Sequence, residues 1–199
     1  MRNNMNSRNY FNLFIATLCF ALMYTPLLAA KPQAESGVTF PASSFVNETK
    51  LELVGTGTRK ATIFGVKVYA AAYYAASIDS NAATHLAAKT PSKLMMIFLR
   101  NVTSDKLQKA WNEGIEKNSP GGFSKVAASL KKLNGLMKDV NAGDRFTFTF
   151  IPEKGVEAQI GRTPAVMLED SSFVSALLSV WFGEHPPNKA LKNGLLGIV

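Results

Sequence analysis

The sequence predicts an α+β protein, a mostly antiparallel β-sheet covered on one face by helices. Three observations lead there. Phe146, Phe148 and Phe150 alternate with Arg145, Thr147 and Thr149, the period of a half-buried strand. Leu107, Ala110, Trp111 and Ile115 recur instead at helical spacing and make one apolar stripe. The strand-like runs form a meander, with helical segments grouped between and after them.

The first thirty residues read as an export signal. Arg2 and Arg8 stand in a polar start without acidic residues, followed by an apolar run from Phe11 to Ala30 and then Lys31-Pro32. An uncleaved anchor is the competing reading, because the run is nearly long enough to span a bilayer. Asn12, Thr17, Thr25 and Pro26 within it favour a cleaved signal. The expected organisation is a signal peptide over 1–30 and a single domain over 31–199, in the periplasm or outside the cell. Cys19, the single cysteine, falls inside the signal. What remains after cleavage has no thiol for disulfides, nucleophilic catalysis or cysteine-ligated zinc.

The formal net charge is +8, from 22 basic and 14 acidic residues. The lysines are spread along the chain, with no dense basic run or interleaved aromatic motif, so no nucleic-acid partner is expected. A solvated basic surface, attracted peripherally to anionic lipid head groups, fits this pattern better. No Gly-rich phosphate loop, dinucleotide fingerprint or nucleophile elbow occurs. His85 and His185 are far apart, lack metal-ligand spacing and are expected in surface or capping roles. Neither cofactor nor metal is expected.

Element by element, Lys31 to Gly37 reads as a flexible leader and Val38 to Phe45 as an entry strand broken by Pro41. Strands follow at Lys50 to Arg59, Val66 to Ala75 and Lys93 to Arg100, all rich in branched, aromatic or methionine side chains. A helix opens at Thr103 or Ser104 and runs to Asn118, with Asp105 in its first turn. Phe123, Val126, Leu130, Leu133 and Met137 predict a second helix over 123–140, weakened late by Gly135. Strands return at 144–151, 156–160 and 165–168. Asp170 or Ser171 caps a third helix through Phe182, which Gly183 and Pro186-Pro187 stop, and a short helix over 188–195 closes the chain.

The most informative stretch is GTGTRKATIFGVKVYAAAYY, residues 55–74. A three-residue loop at Ile63-Phe64-Gly65, with Gly65 in the left-handed region, would make its flanks a hairpin. Thr62 then faces Val66, Ala61 faces Lys67, and Arg59 faces Tyr69. Directly opposed residues project from the same face, so a guanidinium and a phenol would sit side by side. A two-residue turn would set Tyr69 opposite Lys60 instead. The paired groups suit an oxygen-rich head group, since the arginine fork matches a carboxylate and the phenol adds a third hydrogen bond. Trp111, Trp181, the three phenylalanines and Leu94-Met95-Met96 are candidate apolar wall, with Trp111, Phe148 and Trp181 placed beside Arg59 and Tyr69 as ligand-binding residues. Plain core is the other reading of that wall, and a structural Arg59–Tyr69 pair, bonded to an internal acid or a backbone carbonyl, is the other reading of the two polar groups.

The hairpin sequence, the helix near Thr103, the FTFTF strand and the terminal SALLSVWFGEHPPNKALKNGLLG together resemble the chalcone isomerase-like proteins, particularly their secreted bacterial branch. The likeness spans nearly everything after the signal. It implies an open-faced β-sandwich, with an apolar ligand cleft between a long antiparallel sheet and a helical layer. It also implies one of two activities. Plant chalcone isomerases close a chalcone to a flavanone, whereas their non-catalytic relatives hold a fatty-acid carboxylate with an arginine and a tyrosine. Arg59 matches the arginine common to both groups, and Tyr69 falls where the enzymes have threonine and the binders tyrosine. The enzymes' helix tyrosine lands on Lys106 or Leu107, their asparagine on Glu113 or Gly114, and their threonine on Val180, with Trp181 beside it. These substitutions leave little to order a ketone-activating water, and only Arg59 remains as an oxyanion stabiliser. The expected function is binding of a small apolar, fatty-acid-like ligand with an anionic or carbonyl head. An intramolecular lyase acting on an enone, and a non-catalytic envelope protein, stand as alternatives.

Overall fold

A computed structural model describes residues 32–62, 64–119 and 122–198. The expected signal segment lies outside the described residues. Nine strands are β1 Gln33–Glu35, β2 Val38–Phe40, β3 Ser43–Val46, β4 Thr49–Ala61, β5 Val66–Ala75, β6 Ser92–Phe98, β7 Arg145–Ile151, β8 Gly155–Ile160 and β9 Val166–Leu168. The helices are α1 Ala82–Leu86, α2 Ser104–Asn118, α3 Ala127–Gly135, α4 Ser171–Phe182 and α5 Lys189–Leu195, with a 3-10 turn at Phe123–Val126 before α3.

Strands β3 to β9 make one sheet in chain order, and every neighbouring pair is antiparallel. Short turns join β3 to β4, β4 to β5, β7 to β8 and β8 to β9, whereas β5 reaches β6 through α1 and β6 reaches β7 through α2 and α3. Alternation along β5 then separates two cores. Tyr69, Ala71, Tyr73 and Ala75 point into the main core between sheet and helices. Ala70, Ala72 and Tyr74 point the other way, into a smaller cluster completed by Phe40, Val46, Leu51 and Leu53. The result is the open-faced sandwich: helices cover one face, while the small β1–β2 hairpin reaches only part of the other.

The helix ends follow their sequence signals. The Asp170 side chain accepts from the Ser172 and Phe173 amides and caps α4. Gly114, on α2, lets α4 come close: a Cβ there would meet Val180 Cγ1 at 3.0 Å. On β4, a Cβ at Gly57 would meet the Leu191 carbonyl oxygen at 2.9 Å, and one at Gly55 would collide with the Gly194 carbonyl. The alternate glycines of GTGTR are thus the seat of α5. Arg59, next on the same side, is the first residue of that row with a side chain, and it emerges beyond the seat.

Three expectations about the elements and their residues need correction, and one element was not anticipated. The leader residues Gln33–Glu35 are a strand, because they pair with β2 and are tied to β4, with Thr56 Oγ1 donating to Gln33 Oε1 at 3.3 Å and Thr58 to Glu35. Ala82–Leu86 is a short helix capped by Asn81, which the sequence reading omitted. The second long helix splits into the 3-10 turn and α3 and ends at Gly135, where low helix propensity wins. His85 is buried rather than at the surface: Tyr73 Oη lies 3.3 Å from its Nδ1, and the Asp79 carbonyl lies 2.7 Å from its Nε2.

Candidate functional site

The hairpin between β4 and β5 does set Arg59 opposite Tyr69, though not through the expected register. Ala61 pairs with Val66 and Lys60 with Lys67, so the loop covers four residues instead of three. A bulge between Arg59 and Lys60 then restores the pairing of Arg59 with Tyr69. Gly65 has the expected positive φ of 65°, and Thr62 has one of 66° as well.

Both side chains open onto a cleft of about 560 Å³ between the sheet and α2. Tyr69, Phe98 and Met96 form its floor, with Tyr69 and Phe98 directly paired across β5 and β6 and their rings edge-on at 6.0 Å. Leu107, Ala110, Trp111 and Gly114 form a wall, successive positions on one face of α2. Val180 and the Pro186-Pro187 turn complete the lining, and Asn188 beside that turn accepts from the Lys60 amide at 3.2 Å, next to Arg59. Asn118 holds that turn by donating to the His185 carbonyl at 3.0 Å and accepting from the His185 amide at 2.8 Å.

Tyr69 is 5 % exposed, and its oxygen accepts a hydrogen bond from Trp181 Nε1 at 3.0 Å. An indole N–H only donates, so the phenol's own hydrogen stays available. Among the described residues it has no protein acceptor. Burial raises the Tyr69 pKa, against the opposing pull of Arg59 and the Trp181 hydrogen bond. The group is therefore a neutral donor at physiological pH. Arg59 is half-buried and, among the described residues, forms no ion pair. An internal acid holding Arg59 is thus absent from the described residues. Arg100, Lys106 and Lys117 add positive charge at the rim, where Glu113 is the one carboxylate of the described lining. Glu113 is already engaged by Lys109 at 3.9 Å and Lys117 at 3.6 Å.

Of the residues singled out in the sequence, Arg59, Tyr69 and Trp111 share the cleft. Phe148 and Trp181 do not line it. Both have 0 % exposure and stand one layer behind, in an aromatic cluster with Trp111 at ring separations of 5.5 Å and 5.7 Å. Phe146 and Phe150 are likewise solid core, and of Leu94-Met95-Met96 only Met96 reaches the cleft. Trp181 acts instead by orienting the Tyr69 hydroxyl. The cationic rim was missed, although its signal was present. Phe98 pairs with Tyr69, so Arg100 must lie at the hairpin end of the sheet, with the first turn of α2 close behind. His185, expected in a surface or capping role, is exposed at the rim.

The positions carried over from the isomerases, Lys106, Leu107, Glu113, Gly114 and Val180, all border this cleft. None has the hydroxyl or amide that the resemblance would require. What remains chemically is a cation and a neutral hydrogen-bond donor at the head of an apolar slot.

Residues 33–197 match the family model described as chalcone isomerase-like, and the chain belongs to that family. Among solved structures it is similar to a fatty-acid binding protein of Arabidopsis thaliana. The two share 18 % identity with a TM-score of 0.66, over 83 % of this chain and 96 % of that one. At that identity the likeness establishes the fold. A search of curated proteins finds no match.

Proposed function

We propose that the protein binds a fatty acid or a similar small amphipathic molecule, with its anionic head at Arg59 and Tyr69 and its tail along the cleft. The observation that carries this reading is the O–H of Tyr69, buried and without an acceptor among the described residues, beside a guanidinium that has no ion-pair partner among them. A buried donor without an acceptor costs about 1–3 kcal/mol, which a ligand oxygen would recover. Charge-assisted bonds to a carboxylate contribute about 1.5–3 kcal/mol each. The apolar floor and wall add about 0.8 kcal/mol per buried methylene, so tail length governs affinity. The cleft volume falls within the usual range for small-molecule sites, about 300–1,000 Å³. The fatty-acid binding function of the Arabidopsis neighbour supports the same class of ligand.

Native mass spectrometry and lipid extraction of the purified protein test the proposal. An acyl ligand should accompany the protein, and Arg59→Met should lose it while remaining folded. A protein that arrives empty and ignores added fatty acid overturns the proposal. The same reading takes the protein as exported, on the strength of the charged start and apolar run before Lys31. N-terminal sequencing of the chain recovered from its host checks that step: a retained Met1 contradicts it.

A further inference from the structure

The tip of the β4–β5 hairpin has a composition that ligand binding in the cleft does not call for. Phe64 is 86 % exposed, more than any other large apolar side chain of the described residues. It sits two residues beyond Thr62, which borders the cleft. Lys60 and Lys67, both exposed, are directly paired across the hairpin stem just below it. Like charges directly opposite one another destabilise a hairpin, and neither lysine has a carboxylate partner among the described residues. Thr62 also holds a positive φ of 66°, an unfavourable backbone for a β-branched residue. An aromatic apex over an unpaired cationic collar, at a cleft mouth that also carries Arg100 and Lys106, fits one kind of surface. That surface is negatively charged and has an oily layer just beneath.

We propose that the Phe64 tip docks the cleft mouth on an anionic lipid bilayer, with Phe64 entering the headgroup–acyl boundary and Lys60 and Lys67 meeting lipid head groups. Aromatic rings favour that boundary, and cations within a Debye length of it are attracted to anionic leaflets. The inference rests on the proposed cleft ligand for its purpose. A tail that leaves one bilayer would pass directly into the slot beside Tyr69 without crossing water. The docking itself is a separate physical event.

The test places a reporter at the tip. Trp111 and Trp181 are buried, so a Phe64→Trp variant of the full chain adds the one exposed indole of the described residues. Vesicles of phosphatidylcholine with phosphatidylglycerol, carrying bromine on their acyl chains, should quench and blue-shift this emission beyond the change seen in the parent protein. Vesicles without the anionic lipid should do so far less. Adding Lys60→Gln and Lys67→Gln should raise the lipid needed for half-quenching roughly fivefold per lysine. A tip indole quenched no more than the parent overturns the docking, as does quenching indifferent to lipid charge. Equilibrium binding of a fluorescent fatty acid in vesicle-free buffer is measured on the same variants. Its absence in the parent refutes the cleft reading alone, so the two failures are told apart.

Discussion

Removing one oxygen atom from Tyr69 separates its two roles. In Tyr69→Phe, Trp181 Nε1 loses the acceptor it holds at 3.0 Å, inside a core where Trp181 has 0 % exposure. An indole N–H stranded there costs about 1–3 kcal/mol. For a chain of this size each kcal/mol lowers Tm by roughly 2–4 °C. On the proposed binding mode the ligand loses its neutral donor at the same time, and a hydrogen bond to a charged acceptor contributes about 1.5–3 kcal/mol. Kd for a fatty acid should therefore rise roughly 10- to 150-fold. Thermal unfolding without ligand and fluorescent fatty-acid titration read the two effects separately. Adding Trp181→Phe removes the stranded donor, so the double variant should regain part of the stability but none of the affinity. Unchanged Tm and Kd in Tyr69→Phe would refute both roles.

Other outcomes follow from the same geometry. Arg59→Met should abolish head-group binding with little change in denaturant midpoint, because the guanidinium has no ion-pair partner among the described residues; a large stability loss would mark it as structural. Gly57→Ala should destabilise by about 1–3 kcal/mol in urea unfolding, because the new methyl meets the Leu191 carbonyl and lifts α5 from β4. Tyr73 and Tyr74 are pushed up to about 12, in each case first by burial. Their folded pKa lies above the unfolded value near 10, so the stability they contribute is full below pH 10. It fades as pH climbs towards 12, which circular dichroism followed alongside tyrosinate absorbance would show. Asp170 has the opposite sign. Partial burial opposes its charge, but bonds from Ser172, Ser129 and the Phe173 amide prevail and lower its pKa. Its stabilisation of α4 is therefore present above the ordinary carboxylate range and lost as pH falls through the lowered value, whereas Asp170→Ala should unfold more easily at neutral pH.

Much of the fold was legible because it is written locally. Val66 to Ala75 is a strand with the bounds its branched and aromatic run implies, and Asp170 announces the start of α4. The pairing of Arg59 with Tyr69 was legible for a less secure reason: a longer loop and a bulge offset one another. Depth was not legible. Phe146, Phe148 and Phe150 alternate equally well as core or as pocket wall, and only the packing of α2 and α4 over β7 makes them core. Strand β1 was hidden because Gln-Ala-Glu has no strand propensity of its own, and its order comes from Val38–Phe40 and β4. The buried setting of His85 depends on Tyr73 and Phe182, which lie far from it along the chain.

The carboxyl carbon of a bound, isotopically labelled fatty acid reports on the head site itself. Titrated by NMR, its resonance should stay that of a carboxylate well below the pH at which the free acid protonates, and Arg59→Met should erase the difference. A bound carboxyl that titrates like the free one, unmoved by loss of Arg59, would mean that the head lies elsewhere and the cation beside Tyr69 holds no ligand.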